Sequence, residues 1–486
     1  MENILFIGRK EELKDLTRLF KKNTSSLVVI QGRRRIGKSR LVEEFGKNYR
    51  FFQFSGIPPA STTTEQSQRD EIMEQFCSIT GFPNVQVDDW SKFFALLARE
   101  TQQGKVIILL DEISWMGSKD PDFLGKLKNA WDLYLKKNPE LILVLCGSIS
   151  TWIEENILSS TGFMGRISMV INLKELTLPE CFQFLTQTGR DFEQKNRMIS
   201  DAEMFKILSI TGGVPRYLEE VQMDLPATEN IKRLCFSAKG ILFREFNDIF
   251  SDLFTKKSEF YKQIVGLLVD GVCEYNDICD KMQLPRNGHV SGYLDDLIKS
   301  GFITRDYTWH LSSGESSRLS HYRLSDNYLR FYMKYVDPNH DKIISGKFEG
   351  QSLTGLPGWD SIMGLQFENL VLNNRRFIWE ALHLYPQDIQ SDNPFFQRKT
   401  RTTAGCQIDY LIQSNFNILY VCEIKFSKNA IGASVIREVQ AKIDRLNMPK
   451  GFSCIPILIH VNGVKDSVIE SRFFKTIIDF GGFLKK

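Results

Sequence analysis

What this chain has little of narrows its function first. It holds six histidines in 486 residues, and none falls into an HExxH-type spacing. Its nine cysteines are scattered, with no CxxC pair. Zinc-protease and zinc-finger chemistry need such clusters and are set aside. The cysteines read as small hydrophobes of a reducing cytoplasm, not as a disulfide framework. Long apolar runs are missing too. The longest, VIILL and LILVLC, fall far short of the ~20 residues of a membrane span. The opening MENILFIGRKEEL is charged almost at once and has no signal-peptide core. A soluble, cytoplasmic chain with no membrane partner is expected. Neither sign of charge dominates, with 62 Lys and Arg against 59 Asp and Glu. Bulk charge therefore neither demands nor forbids nucleic acid, and local patches decide. There is no internal repeat and no low-complexity tract. The nearest approach, SGIPPASTTTEQSQ (55–68), reads as a surface loop.

What is present begins with length, which calls for two to four domains. The strongest local pattern is LVVIQGRRRIGKSRLVEEF (27–45). A β-branched run leads into Gly32-x-x-x-x-Gly37-Lys38-Ser39 and then an amphipathic helix. The two glycines allow a tight loop whose N–H groups can surround phosphate oxygens, at the positive end of a helix. Lys38 is expected to reach the β- and γ-phosphates of ATP, and Ser39 to ligate Mg²⁺. Gly32, Arg35, Ile36, Gly37 and Arg40 complete the expected nucleotide contacts. Arginines 33 to 35 are either solvated or face a neighbouring subunit. A second buried run, KVIILLDEISWM, delivers Asp111 for Mg²⁺ and Glu112 to polarise the attacking water. LILVLCGS ends at Ser148, placed to sense the γ-phosphate, and VINLKEL reads as a last strand. Strands alternate with helices, which implies a parallel sheet with ligands at the strand C-terminal ends.

FIGRKEEL (6–13), GRRRIGKSR (32–40), ILLDEISWM, LCGS, GFMGRI (162–167) and TGGVPRYLEE (211–220), in this order, resemble the archaeal-type P-loop ATPase family of the AAA-like and STAND branch. The resemblance covers about half the chain. It implies that Ile7 and Arg9, with Pro215, flank the adenine. It also implies that Arg166 senses phosphate in cis or across an interface, with Arg216 a weaker lid sensor.

After Leu178-Pro179 helical spacing takes over, as a small lid would require. From about Glu259, three helices (EFYKQIVGLLVDG, YNDICDKMQL, HVSGYLDDLIKSG) precede two strands, FITRDYTW and SHYRLSD. That is a winged-helix pattern. Its third helix carries Asp295 and Asp296 and little positive charge, which favours a mechanical or protein-contact module over a major-groove reader. Arg305, Arg318 and Arg323 on the wing are the cations left to touch phosphate. The stretch VDPNHDKIISGKFEGQS reads as a linker.

Beyond it, WDSIMGLQFENLVLNNRRFIWEAL reads as a buried helix carrying Glu368, a charge that needs a partner there. In the strand QIDYLI, Asp409 interrupts the apolar face. In VCEIKFSK, Glu423 and Lys425 share one face by strand alternation. Paired through the turn QSNFN, the strands bring Asp409 beside Glu423. Two adjacent carboxylates call for a cation, and Mg²⁺ suits them. Lys425 would hold the attacking water or the developing phosphorane charge. The following helix carries Gln440. This set resembles the PD-(D/E)xK nuclease superfamily, in the form fused to archaeal-type ATPases, over roughly the last 130 residues. The proline that often precedes the aspartate is absent. Arg398, Lys399 and Arg401 offer a path for a nucleic-acid backbone.

The expected fold is therefore α/β: a P-loop NTPase parallel sheet (1–178), a helical lid (179–252), a winged helix (253–337) and a restriction-endonuclease-like α/β domain (350–486). ATP and Mg²⁺ are the expected cofactors, and DNA and a second copy of the chain the expected partners. The rival expectation is a regulatory scaffold whose nuclease-like fold binds without cutting.

Overall fold

A computed structural model describes residues 6–148, 151–188, 199–253, 258–286 and 288–486. The chain divides into two compact units, Met1–Leu176 and Thr177–Lys486.

The first unit is built on strands β1 (Ser26–Gly32), β2 (Arg50–Ser55), β3 (Val106–Asp111), β4 (Leu141–Ser148) and β5 (Ile167–Leu173). All pair in parallel, in the order β2-β3-β4-β1-β5. Every residue of β1 and β3 is buried, as expected of strands covered by helices on both faces. Trp90, Phe93, Phe94 and Phe123 fill the core on one side. The register sets Gly32 beside Ser148, and Asp111 beside Ser55, so the phosphate loop and the acidic strand end share one rim of the sheet. The stretch 55–68, read as loop throughout, turns into the helix Glu65–Thr80 at Thr64, where a capping box with Ser67 supplies the start signal.

The second unit gathers what the sequence divides into three bodies. The boundaries near 252 and 337–350 fall inside it. The helices Ser258–Leu267, Tyr275–Met282 and Gly288–Lys299 precede an antiparallel hairpin of β6 (Ile303–Trp309) and β7 (Ser316–Leu324). The expected turn at 285–288 includes residue 287, which lies outside the described residues. A mixed sheet follows, in the order β12-β11-β10-β9-β8, from β8 (Ile389–Gln397), β9 (Cys406–Ser414), β10 (Ile418–Phe426), β11 (Ser453–Val461) and β12 (Thr476–Asp479).

Hairpin and sheet share a core. Trp309 and Leu311 pack with Phe395, Ile408 and Leu411, and the Trp309 indole donates to Gln413 at 2.6 Å with both buried. The supposed linker 336–352 is also folded in: its Phe348 ring stacks on Phe236 at 4.3 Å. The lid-region helix Asp201–Thr211 joins the same body through Phe205. That ring meets Phe367 and Phe480, each at 5.6 Å, and Phe367 meets Phe426 of β10 at 5.2 Å. Aromatic contacts of this kind bury large areas with defined geometry.

Candidate functional site

The nucleotide loop grows from its neighbours. A Cβ at Gly32 would lie 2.6 Å from the Leu173 carbonyl oxygen, so only glycine lets β1 end against β5. Gly37 takes φ 90, a left-handed turn into the helix Lys38–Gly46. Lys38 is buried, and its ammonium donates to the carbonyls of Gly32 and Arg33, both at 3.2 Å. The Ser39 hydroxyl donates to Asp111 Oδ2 at 2.6 Å, and the Glu112 N–H donates to Asp111 Oδ1 at 3.1 Å. Glu112 stands at φ 49, turned away from the strand path. Hydroxyl and carboxylate oxygens already in contact are the hard donor set that Mg²⁺ takes with water and phosphate.

Arg9 is buried and donates to the Ile36 carbonyl at 3.2 Å, which ties the segment of Ile7 and Arg9 to the phosphate loop. Arg33 pairs with Glu175 at 2.9 Å and Arg40 with Glu43 at 3.4 Å. Arg166 makes a two-pronged pair with Asp132, the shortest contact 2.8 Å, and Lys128 and Lys136 add to it. That guanidinium, first of all, holds the Asp132 carboxyl well below the usual range. Pro215 begins a short helix in the second unit, and Arg216 beside it pairs with Glu219 and Glu220.

In the second unit β9 and β10 are antiparallel, with Cys422 opposite Tyr410. The next step of that register brings Asp409 beside Glu423. The ammonium of Lys442, from the helix Ser434–Arg445, lies 3.0 Å from Asp409 Oδ1 and 2.5 Å from Glu423 Oε2. Lys425 lies 2.9 Å from Glu423 Oε1 and 3.0 Å from Glu438. Asp409 Oδ2 accepts from the Ile424 N–H at 3.0 Å.

The Glu423 side chain is 2% exposed. Burial, then the Asp409 charge, raise its pKa against the pull of the two lysines. Burial alone would lower both lysines, but the carboxylates outweigh it and hold them above their ordinary values. Glu368 is half-buried on the helix Trp359–Asn373. Burial and then the Asp409 carboxylate push it up to about 8, while Arg323, Arg330 and Lys442 pull the other way.

Gln440 does not join this group: it is exposed and donates to Asp444 at 2.7 Å. Lys442 takes the inward position that Gln440 was expected to hold. Val435 and Val439 are the buried residues of this helix, and Lys442 continues their stripe at i+3 and i+7, the spacing that could have singled it out. Among the described residues no group of three or more His, Cys, Asp or Glu side chains is arranged to hold a metal ion. Asp409 and Glu423 converge as a pair of hard oxygen donors, which fits Mg²⁺ once Lys442 withdraws.

The wing differs from expectation. Arg323 is buried, paired with the equally buried Asp306 at 2.7 Å and bonded to Asn369, so it cannot touch phosphate. Arg305 donates to Ser320 at 2.9 Å and lies over the Tyr307 and Tyr322 rings. Asp296 of the third helix accepts from the Tyr261 hydroxyl at 2.6 Å, within its own helical bundle.

Residues 6–221 match the model of an ATPase domain found predominantly in Archaea. An uncharacterized protein of Methanocaldococcus jannaschii is 23% identical over 366 residues, 75% of this chain and 76% of that protein. An uncharacterized ATP-binding protein of the same organism is 42% identical over 45 residues, 9% of this chain and 76% of that protein. The solved Walker-type ATPase of Pyrococcus abyssi superposes with a TM-score of 0.51 at 17% identity, covering 68% of this chain and 96% of that one. At that identity the likeness speaks for the fold alone. No described helix is long and apolar enough to cross a membrane.

Proposed function

This chain belongs to the archaeal-type P-loop ATPase family through residues 6–221, and we propose that its ATP cycle switches a nuclease-like second unit that hydrolyses DNA phosphodiester bonds. In the first unit Lys38 exchanges its two loop carbonyls for the β- and γ-phosphates of ATP. Ser39 and Asp111 hold Mg²⁺, and Glu112 orients the attacking water. Ile7 and Arg9 border the adenine, while Ser148 and Arg166 respond to the γ-phosphate.

In the second unit Asp409 and Glu423 hold the divalent ion, which when bound supplies charge neutralisation and a more acidic water. Lys425, on the strand face of Glu423, donates to the pentacoordinate phosphate. Glu368, which feels the Asp409 charge, completes the proposed set. DNA is the partner, and self-assembly would supply any arginine acting across subunits.

The observation that carries the reading is the convergence of Asp409, Glu423 and Lys425 on one face, from strands joined by a short turn. Two buried carboxylates brought together with cations are costly to maintain for packing alone. The test is cleavage of single- and double-stranded DNA and RNA in Mg²⁺ or Mn²⁺, with and without ATP, by the full chain and its Lys425→Ala and Lys38→Ala variants. Cleavage lost in Lys425→Ala and altered by Lys38→Ala is expected. Cleavage that survives Lys425→Ala removes that lysine from the chemistry.

One observation favours a second reading, a regulatory scaffold. Lys442 bridges both carboxylates and Lys425 adds a second cation at Glu423, so the pair is compensated without a metal. Absence of cleavage under every condition, with nucleic acid still bound, selects the scaffold.

A further inference from the structure

Within the second unit a cavity of about 450 Å³ opens where the wing meets the mixed sheet. Its walls come from four elements. His321 is on β7, Phe396 is near the end of β8 with Arg398 just beyond it, Gln407 is the second residue of β9, and Lys442 and Arg445 are on the helix Ser434–Arg445. The His321 and Phe396 rings stack face to face at 3.9 Å and form one flat wall. Burial lowers the pKa of His321 below its ordinary value, against the pull of the Glu274 carboxylate 3.8 Å away.

Three cations line the same cavity. Arg398 is exposed and tethered by Glu274, to which its Nε donates at 3.1 Å. Lys442 spans from the cavity to Asp409 and Glu423. Arg445 is exposed and makes no ion pair or side-chain hydrogen bond among the described residues. The exposed Gln407 adds an amide that can donate and accept.

We infer that this cavity receives one unpaired nucleotide of a nucleic-acid strand, its phosphate on Arg445 and Lys442 and its base against the His321–Phe396 wall. The chemistry selects the ligand. A flat aromatic wall with cations in the same cavity suits a base and its phosphate, and the volume is that of a small-ligand site, about 300–1,000 Å³. A base stacked inside a duplex cannot enter such a cavity without leaving its helix. The shared Lys442 puts the bound phosphate next to the acidic pair. The inference rests on reading the second unit as directed at nucleic acid, and it explains why the wing is fused to the sheet: His321 reaches the site only from β7.

The test uses the full chain in EDTA, so that no strand is cut. Fluorescence anisotropy follows binding of a labelled single-stranded oligo-dT, a labelled oligo-U and a blunt duplex of the same length. Both single strands are expected to bind about tenfold more tightly than the duplex. Arg445→Ala should weaken single-strand binding about tenfold and lower the salt slope by about 1. Arg376→Ala, at an exposed arginine that pairs with Glu380 and does not line the cavity, serves as the charge control and should leave binding as it was. His321→Ala tests the wing's contribution, with the melting temperature as its folding control. Because Arg445 is exposed, its variant carries the test if His321→Ala loosens the fold. Duplex binding as tight as single-strand binding overturns the inference, and so does single-strand affinity indifferent to Arg445→Ala. The measurement needs no cleavage, so an inactive acidic site leaves it standing. Cleavage that needs Lys425 but not Arg445 sinks the cavity alone.

Discussion

Lys442→Met asks whether one ammonium holds the acidic pair together. Lys442 bonds Asp409 at 3.0 Å and Glu423 at 2.5 Å, and the Glu423 side chain is 2% exposed. Removing one partner of a buried ion pair costs about 3–5 kcal/mol, because the remaining charge is stranded. Two features reduce that figure. Lys442 is itself 24% exposed, so water screens part of the loss, and Lys425 still pairs with Glu423 at 2.9 Å. Methionine keeps most of the stem packing. A net loss of about 2–3 kcal/mol is expected, which for a unit spanning Thr177–Lys486 lowers the melting temperature by about 3–5 °C.

Mg²⁺ should restore part of that loss in the variant and do less in the parent chain, because a ligand that binds only the folded state stabilises it by mass action. Differential scanning fluorimetry of parent and variant, in EDTA and in millimolar Mg²⁺, reads both effects, with nucleotide left out to isolate the second unit. A variant that melts with the parent chain and gains nothing extra from Mg²⁺ would refute the account of the pair as a cation site held by Lys442.

Glu112→Gln should bind ATP and lose turnover by about 10²-fold or more, measured as phosphate release beside nucleotide binding. Arg323→Ala should strand the buried Asp306, costing about 3–5 kcal/mol, seen as a lower urea midpoint. If Arg323 were instead a phosphate contact, the variant would lose nucleic-acid affinity and keep its stability. Glu368 has a folded pKa near 8 against an ordinary 4.5. Its raised pKa stabilises the fold fully below about pH 4.5, and that contribution is lost as pH rises through 8, by at most about 1.4 kcal/mol per unit. Stability curves of Glu368→Gln should therefore meet the parent's near pH 4 and rise above it by about pH 8. Parallel curves would place no proton on Glu368.

The parallel sheet and its nucleotide loop were legible because their chemistry is contiguous. Gly32 to Ser39 is one motif, and Asp111 ends an unbroken buried run. Strand alternation also points to Asp409 and Glu423 as neighbours, since three residues between two strands leave little freedom in register. Lys442 was missed because the helix was searched for a residue type and not for a face. Gln440 is chemically apt, but it stands one residue on from the buried Val439 and so points elsewhere. Arg323 looked like a free wing cation because its partner, Asp306, lies on the adjoining strand 17 residues away. The fusion of wing and sheet rests on contacts such as Trp309 to Gln413, 104 residues apart, which no local pattern encodes.

The seam between the two compact units, after Leu176, falls inside the family-matched region 6–221. The last part of the ATPase homology is thus built into the other body, where Phe205 meets the helix of Glu368 and Phe367 meets the strand of Lys425. Any displacement of residues 201–211 would therefore reach the acidic strands through packed rings.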